Sequence, residues 1–154
     1  MQRTSRKLKT ILLWLLFFCY VAAMSFLLFD RPSMQAGNYW EQVQQNLNLE
    51  PLRTVRMYLR LLHTNRPPGR ANAIMNLGGN VVLFMPIGVF LPMLFSKLKK
   101  VWFFLPVVML TILLVELVQL FALVGRCDVD DLILNVFGAF IGFVAFFVLK
   151  KIRK

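Results

Sequence analysis

Four largely apolar stretches, 10–29, 74–95, 101–124 and 132–149, divide the chain. Each approaches the ~20 residues that a helix needs to cross a hydrocarbon core. A hydrophilic segment, 30–73, separates the first two stretches. The four residues Lys97–Lys100 make a tight turn between the second and third. The third and fourth are joined by Gly125-Arg126-Cys127-Asp128-Val129-Asp130-Asp131, which places an arginine and three aspartates between long greasy runs. The pattern predicts an all-α, polytopic membrane protein: one domain over 10–149 with four transmembrane helices, flanked by basic tails at 1–9 and 150–154.

The first stretch is longer than the apolar core of a cleaved signal, and no small-x-small site follows it, so it reads as an uncleaved signal anchor. Leu16-Phe17-Phe18 before Cys19 is too bulky for a lipoprotein box. In the hydrophilic segment, Pro32, Gly37 and Asn38 mark irregular chain. Pro51 then opens a helical pattern at an allowed first-turn position. On a helical wheel Leu52, Val55, Tyr58, Leu59 and Leu62 share one side, and Arg53, Arg56, Arg60 and His63 the other. This predicts an amphipathic interfacial helix in the first outer loop, with Arg53, Arg56 and Arg60 turned to membrane-surface phosphates. The competing reading is a helix packed on the bundle with a solvated basic face. Pro67, Pro68 and Gly69 are expected to break the chain before the second span, and Pro86 to kink that span.

Charge fixes the expected orientation. Arg3, Arg6, Lys7 and Lys9, then Lys97, Lys99 and Lys100, then Lys150, Lys151, Arg153 and Lys154 fall in the tails and the short turn, without an acid. The rest of the chain balances, so the net charge of +11 sits on one side. By the positive-inside rule that side is cytoplasmic, and both termini with it; the arginines of the first outer loop oppose this, but a long loop weighs less. With 58% hydrophobic residues the chain has no soluble domain to present a nucleic-acid-binding face, so the tails read as orientation signals and contacts to anionic lipid. Cys19 in a span and Cys127 in a loop are not placed for a disulfide. His63, the sole histidine, has no cysteine at ligand spacing, and no metal site is expected there.

Polar residues inside apolar helices are costly, and here they fall at a common depth. Asn72, Asn76 and Asn80 recur every fourth residue on one face of the second span, which should turn to the bundle. Glu116 and Gln119 share a face in the outer half of the third. Asp128, Asp131 and Asn135 form a stripe opening the fourth, continued inward by Gly138-x-x-x-Gly142, a seam for close helix contact.

Taken singly these residues serve as structural glue: Asp128 or Asp131 as a helix cap, Arg126 as an ion-pair partner, Asn80 bonded to Glu116. Taken together, Glu116, Asp128, Asp130 and Asp131 exceed what Arg126 alone neutralises. Three further readings follow. Arg126 could hold a phosphate while Asn76, Asn80 and Gln119 bind hydroxyls or amides. The acidic cluster could hold a divalent cation, though no cofactor is otherwise indicated. A carboxylate could act as general base on a lipid-linked substrate. No Ser-His-Asp, Cys-His or histidine-rich phosphatase pattern accompanies the cluster, which weakens the catalytic reading.

Asn76-x-x-x-Asn80-x-x-x-Phe84-x-Pro86-x-Gly88, then Glu116-x-x-Gln119, then Gly125-Arg126-x-x-x-x-Asp131-x-x-x-Asn135-x-x-Gly138 resembles the VanZ-like family of bacterial membrane proteins. Pro51 in Asn48-Leu49-Glu50-Pro51-Leu52 resembles that family's asparagine-leucine-proline segment. The resemblance covers roughly 46–145. It implies a small integral protein of the Gram-positive cell envelope, in a family whose named member gives resistance to teicoplanin, a lipid-tailed glycopeptide antibiotic. Carried over, it makes Asn76, Asn80, Glu116, Gln119, Arg126, Asp128, Asp131 and Asn135 a shared ligand-binding site. The expected partners are membrane lipids, and a lipoglycopeptide or a lipid-linked cell-wall intermediate. The rivals are an enzyme acting on a polyprenyl- or phospholipid-linked substrate, and a structural partner of a cell-wall synthesis complex.

Overall fold

The computed structural model describes residues 2–30, 37–64 and 67–152, with side chains from residue 7 onward. The expected irregular chain at Pro32 and the side chains of Arg3, Arg6, Arg31, Arg66, Arg153 and Lys154 lie outside the described residues. The elements run α1 (Gln2–Phe29), α2 (Tyr39–Gln45), β1 (Leu47–Asn48), α3 (Arg53–Leu62), α4 (Pro67–Leu94), a 3-10 turn (Ser96–Lys99), α5 (Val101–Phe121), β2 (Cys127–Asp128) and α6 (Val129–Ile152). Helices α1, α4, α5 and α6 are long and apolar enough to cross a membrane, and most of their surface faces outward.

The four long helices alternate in direction along the chain. Trp14 meets Phe95, Phe17 meets Phe90, and the Tyr20 hydroxyl donates to the Leu83 carbonyl at 2.7 Å, so α1 runs antiparallel to α4. Phe104 stacks on Phe143 with centroids 4.4 Å apart, which sets α5 antiparallel to α6. Helices α4 and α6 run parallel and are the most tightly joined pair. Gly138 lies against the Val81 backbone, Gly142 against Met85, and Gly88 against Ala139. A Cβ on any of the three would stand 1.9–2.1 Å from a facing carbonyl oxygen, so only glycine lets the backbones meet there. The expected small-residue seam is present, and its partner on α4 is Gly88. Phe84, Phe104, Val108, Ile112, Ala139 and Phe143 fill the core between these helices. This arrangement gathers Lys7, Lys9, Lys97, Lys99, Lys100, Lys150 and Lys151 at one end of the bundle. The short elements and the loops around them cap the other.

Several boundaries differ from the hydrophobic pattern, beginning with α1, which starts at Gln2 within the basic tail. Helix α4 begins at Pro67, so Pro67, Pro68 and Gly69 form its first turn instead of breaking the chain. First-turn N–H groups have no intrahelical acceptor, so two prolines cost little there. At 28 residues and ~1.5 Å each, α4 is longer than a ~30 Å hydrocarbon core is thick. Asn72 and Asn76 are both exposed, so of the three asparagines expected to face the bundle only Asn80 is partly buried. Helix α5 stops at Phe121, where Leu123 adopts a left-handed conformation (φ 53°) with its side chain buried. Helix α6 starts at Val129, ahead of the apolar run.

Helix α3 begins at Arg53, not at Pro51, because Leu52 takes a left-handed conformation (φ 63°) at its N-cap. The helix packs against α4, with Thr54, Val55, Tyr58, Leu61 and Leu62 partly buried. Arg53, Arg56, Arg60 and His63 are exposed, as are Leu52, Met57 and Leu59. The rotation away from the expected Leu52–Leu59 side follows from how the helix is tied down at its N-terminus.

Candidate functional site

That tie is Asp130. Its carboxylate is completely buried and accepts hydrogen bonds from three backbone N–H groups at the start of α3: Leu52 N on Oδ1, and Thr54 N and Val55 N on Oδ2. These are groups that a helix leaves without acceptors, at its positive end. Asp130 thus caps α3 from a different part of the chain. It does not belong to the unneutralised acidic cluster that the sequence suggests, since its charge is spent on these amides.

Asp128 completes the clamp. Its Oδ2 accepts from the Thr54 hydroxyl, and its Oδ1 from Asn48 Nδ2 at 3.0 Å and from the Asp130 N–H at 2.9 Å. The last bond caps α6, one of the structural roles expected for this residue. Asn48 Nδ2 also reaches the Thr54 hydroxyl at 3.2 Å. Backbone pairing joins the same loops: β1 and β2 form a parallel pair with Leu47 opposite Cys127 and Asn48 opposite Asp128. The loop before α3 and the loop before α6 are therefore one unit, laid over the end of the bundle.

Beneath this unit lies a cavity of about 360 Å³. All eight residues singled out from the sequence line it: Asn76 and Asn80 from α4, Glu116 and Gln119 from α5, Arg126 and Asp128 from the loop, and Asp131 and Asn135 from α6. Leu28, Thr54, Met57, Tyr58, Leu123, Val124 and Gly125 complete the wall. Thr54 and Tyr58, one turn apart on α3, were not anticipated as wall residues. Their spacing matches the polar stripes of the long helices, but they lie in a segment whose attachment depends on Asp130.

Several wall residues have defined partners. Asn80 Nδ2 donates to Asp131 Oδ1, so Asn80 is joined to Asp131 where Glu116 was expected. Asn76 Nδ2 donates to the Asn72 carbonyl at 2.8 Å along its own helix. Gln119 Nε2 donates at 2.8 Å to the Leu28 carbonyl, one of the last-turn carbonyls of α1 that lack an intrahelical donor. Gln119 so anchors the end of α1, and Gly125 packs closely on its side chain. Glu116, Gln119, Leu123, Asp128 and Asn135 are the buried residues of the wall, while Arg126 is exposed. Among the described residues, no three His, Cys, Asp or Glu side chains are grouped to hold a metal ion.

The pKa shifts outside the long helices follow from burial. The Tyr58 phenol is raised above its usual 10.0, first by desolvation and then by the neighbouring Asp131, with Arg126 opposing. It therefore stays a hydroxyl donor throughout the neutral range. The Cys127 thiol is also raised, first by burial and then by Glu116 and Asp128. Both cysteines are free, Cys19 exposed on α1 and Cys127 buried. Because the thiolate is the nucleophile, a raised pKa lowers its fraction at any given pH. In a Cys19→Ser background, the rate of modification by a membrane-permeant thiol reagent should reach half its plateau above the pH ~8.5 of an ordinary cysteine. A midpoint at or below that pH would contradict the buried placement of Cys127.

The cavity and its clamp draw on residues from Leu28 to Asn135, most of the length of the domain. No curated protein and no solved structure matches the chain. The VanZ/LLP1 family model matches residues 14–150, which run from within α1 to the last turn of α6 and include every residue of the cavity wall. The chain belongs to the VanZ/LLP1 family.

Proposed function

We propose that this chain is a multi-pass protein of the Gram-positive cell envelope whose cavity binds a membrane-embedded polar group and so alters susceptibility to teicoplanin. The bound group is an envelope-lipid headgroup or the membrane-proximal part of a lipoglycopeptide. The observation that carries this reading is the convergence of eight polar side chains, from three long helices and one loop, on a single cavity. Its ~360 Å³ falls within the range of small-molecule sites. Structural glue alone needs pairs of polar groups, not a walled space between them.

The lysines gathered at the opposite end of the bundle support an orientation with the termini in the cytoplasm and the cavity toward the outer leaflet. There it would meet lipids and drugs arriving from outside. Helix α3, with Arg53, Arg56 and Arg60 exposed beside Met57 and Leu59, would then lie at the headgroup level, arginines toward lipid phosphates. The resistance element of the proposal rests on the resemblance to VanZ-like proteins.

The test compares teicoplanin and vancomycin susceptibility in a Gram-positive host lacking the gene and complemented with wild type, Glu116→Gln or Asp131→Asn at matched membrane levels. Wild type should protect against teicoplanin and not vancomycin, and both isosteric variants should lose most of that protection. Full protection by both variants would leave the polar wall as glue. Turnover of a lipid-linked substrate by the purified protein, lost in the same variants, would replace binding with catalysis.

A further inference from the structure

Within the cavity, the donors and acceptors are unevenly distributed. Asn135 is more than nine-tenths buried, lines the cavity, and its Oδ1 receives no hydrogen bond among the described residues. A buried amide oxygen demands a donor. The carboxyl groups of Glu116 and Asp131 line the same space, with the Tyr58 hydroxyl as a neutral donor beside them. Arg126, the basic residue among those lining the cavity, is itself exposed in the loop after α5. A complementary ligand therefore carries hydrogen-bond donors, preferably with positive charge, at its buried end and an anion at its outer end.

We propose that the cavity takes a headgroup bearing a primary ammonium and a phosphate, with the ammonium against Asn135 Oδ1, Glu116 and Asp131 and the phosphate at Arg126. A primary ammonium supplies three donors and a charge; a hydroxyl supplies one donor and no charge, and a quaternary ammonium supplies charge without donors. A cavity of about 360 Å³ has room for such a headgroup but not for an entire glycopeptide. The inference rests on the binding role proposed above and specifies its ligand. The shared chemistry could come from a bilayer lipid or from a soluble phosphoamine.

The experiment titrates the purified full-length protein, in one detergent, with short-chain phosphatidylethanolamine, phosphatidylcholine, phosphatidylglycerol and phosphatidic acid of identical chains. Soluble glycerophosphoethanolamine is titrated alongside. Phosphatidylethanolamine should bind about tenfold more tightly than each of the others. Asn135→Leu should remove the preference over phosphatidylcholine, and Arg126→Gln should weaken all four lipids, with unliganded melting midpoints confirming that both variants fold. Binding of glycerophosphoethanolamine at comparable affinity would assign the ligand to a soluble source, whereas its failure to bind would assign it to the lipid. Equal binding of all four lipids, or tightest binding of phosphatidylglycerol, overturns the ammonium assignment while leaving a lipid-binding cavity. No saturable binding of any lipid overturns both the assignment and the lipid form of the binding role. Should Asn135→Leu fail to fold, the wild-type preference for the primary over the quaternary amine decides alone.

Discussion

Gly138→Ala should separate α4 from α6 and destabilise the protein by about 3 kcal/mol or more, the upper part of the range for overpacking a tight contact. The new Cβ would lie 2.1 Å from the Val81 carbonyl oxygen and 2.8 Å from its carbon. Both are backbone atoms, so no side chain can swing aside; one helix must move. Gly142 faces Met85 with the same constraint, and Gly88 faces Ala139 and Phe143. The readout is the melting midpoint of the detergent-extracted protein and the fraction recovered without aggregation. Gly78→Ala and Gly79→Ala are the matched controls, since a Cβ at either position meets nothing within 4 Å. A midpoint for Gly138→Ala indistinguishable from those controls would contradict the close approach of the two backbones.

Asp130→Asn should release α3. The carboxylate is completely buried and serves three amides at once. An amide side chain of the same shape replaces one acceptor oxygen with a donor and removes the charge that complements the helix terminus. Leaving buried N–H groups without acceptors at this site should cost about 3 kcal/mol or more. Hydrogen exchange at the Thr54 and Val55 amides should rise sharply, and proteolysis across 53–62 should accelerate, while the core around Phe104 and Phe143 keeps its protection. Because Thr54 and Tyr58 form part of the cavity wall, ligand binding should fall with the same substitution. Unchanged exchange at Thr54 and Val55 would remove Asp130 from the role of cap.

The sequence made the four spans and the common depth of the polar groups legible, because hydropathy and helical rise together locate a side chain along a membrane helix. Asn76, Glu116, Asp131 and Asn135 were found in this way. Asp130 counts there only as one of the acidic cluster, and its capping role is not legible: its partners are backbone amides, which every residue but proline carries and which leave no trace in composition. The same reason hid the rotation of α3, whose exposed Leu59 looks like a core position when the N-terminal anchor is unknown. Pro67 and Pro68 misled in the opposite direction. They read as breakers, yet their place in the first turn asks nothing of the N–H that proline lacks. The Gly138–Gly142 seam could be read from spacing on one helix, but only the parallel pairing of α4 with α6 identifies Gly88, and not Gly78 or Gly79, as its counterpart.

The clamp over the cavity joins Leu52 to Asp130 across 78 positions of sequence. During biosynthesis the first of these leaves the ribosome well before the second, and α4 and α5 must both be threaded into the bilayer in between. The amides at the start of α3 consequently wait for their acceptor until α6 is being delivered. A nascent chain halted after α5 would carry Glu116 and Gln119 without Asp131 or Asn135 opposite, and an untethered α3 open to proteases. Closure of the clamp thus requires that α6 has reached the bundle, and it distinguishes chains that carry this helix from chains halted before it.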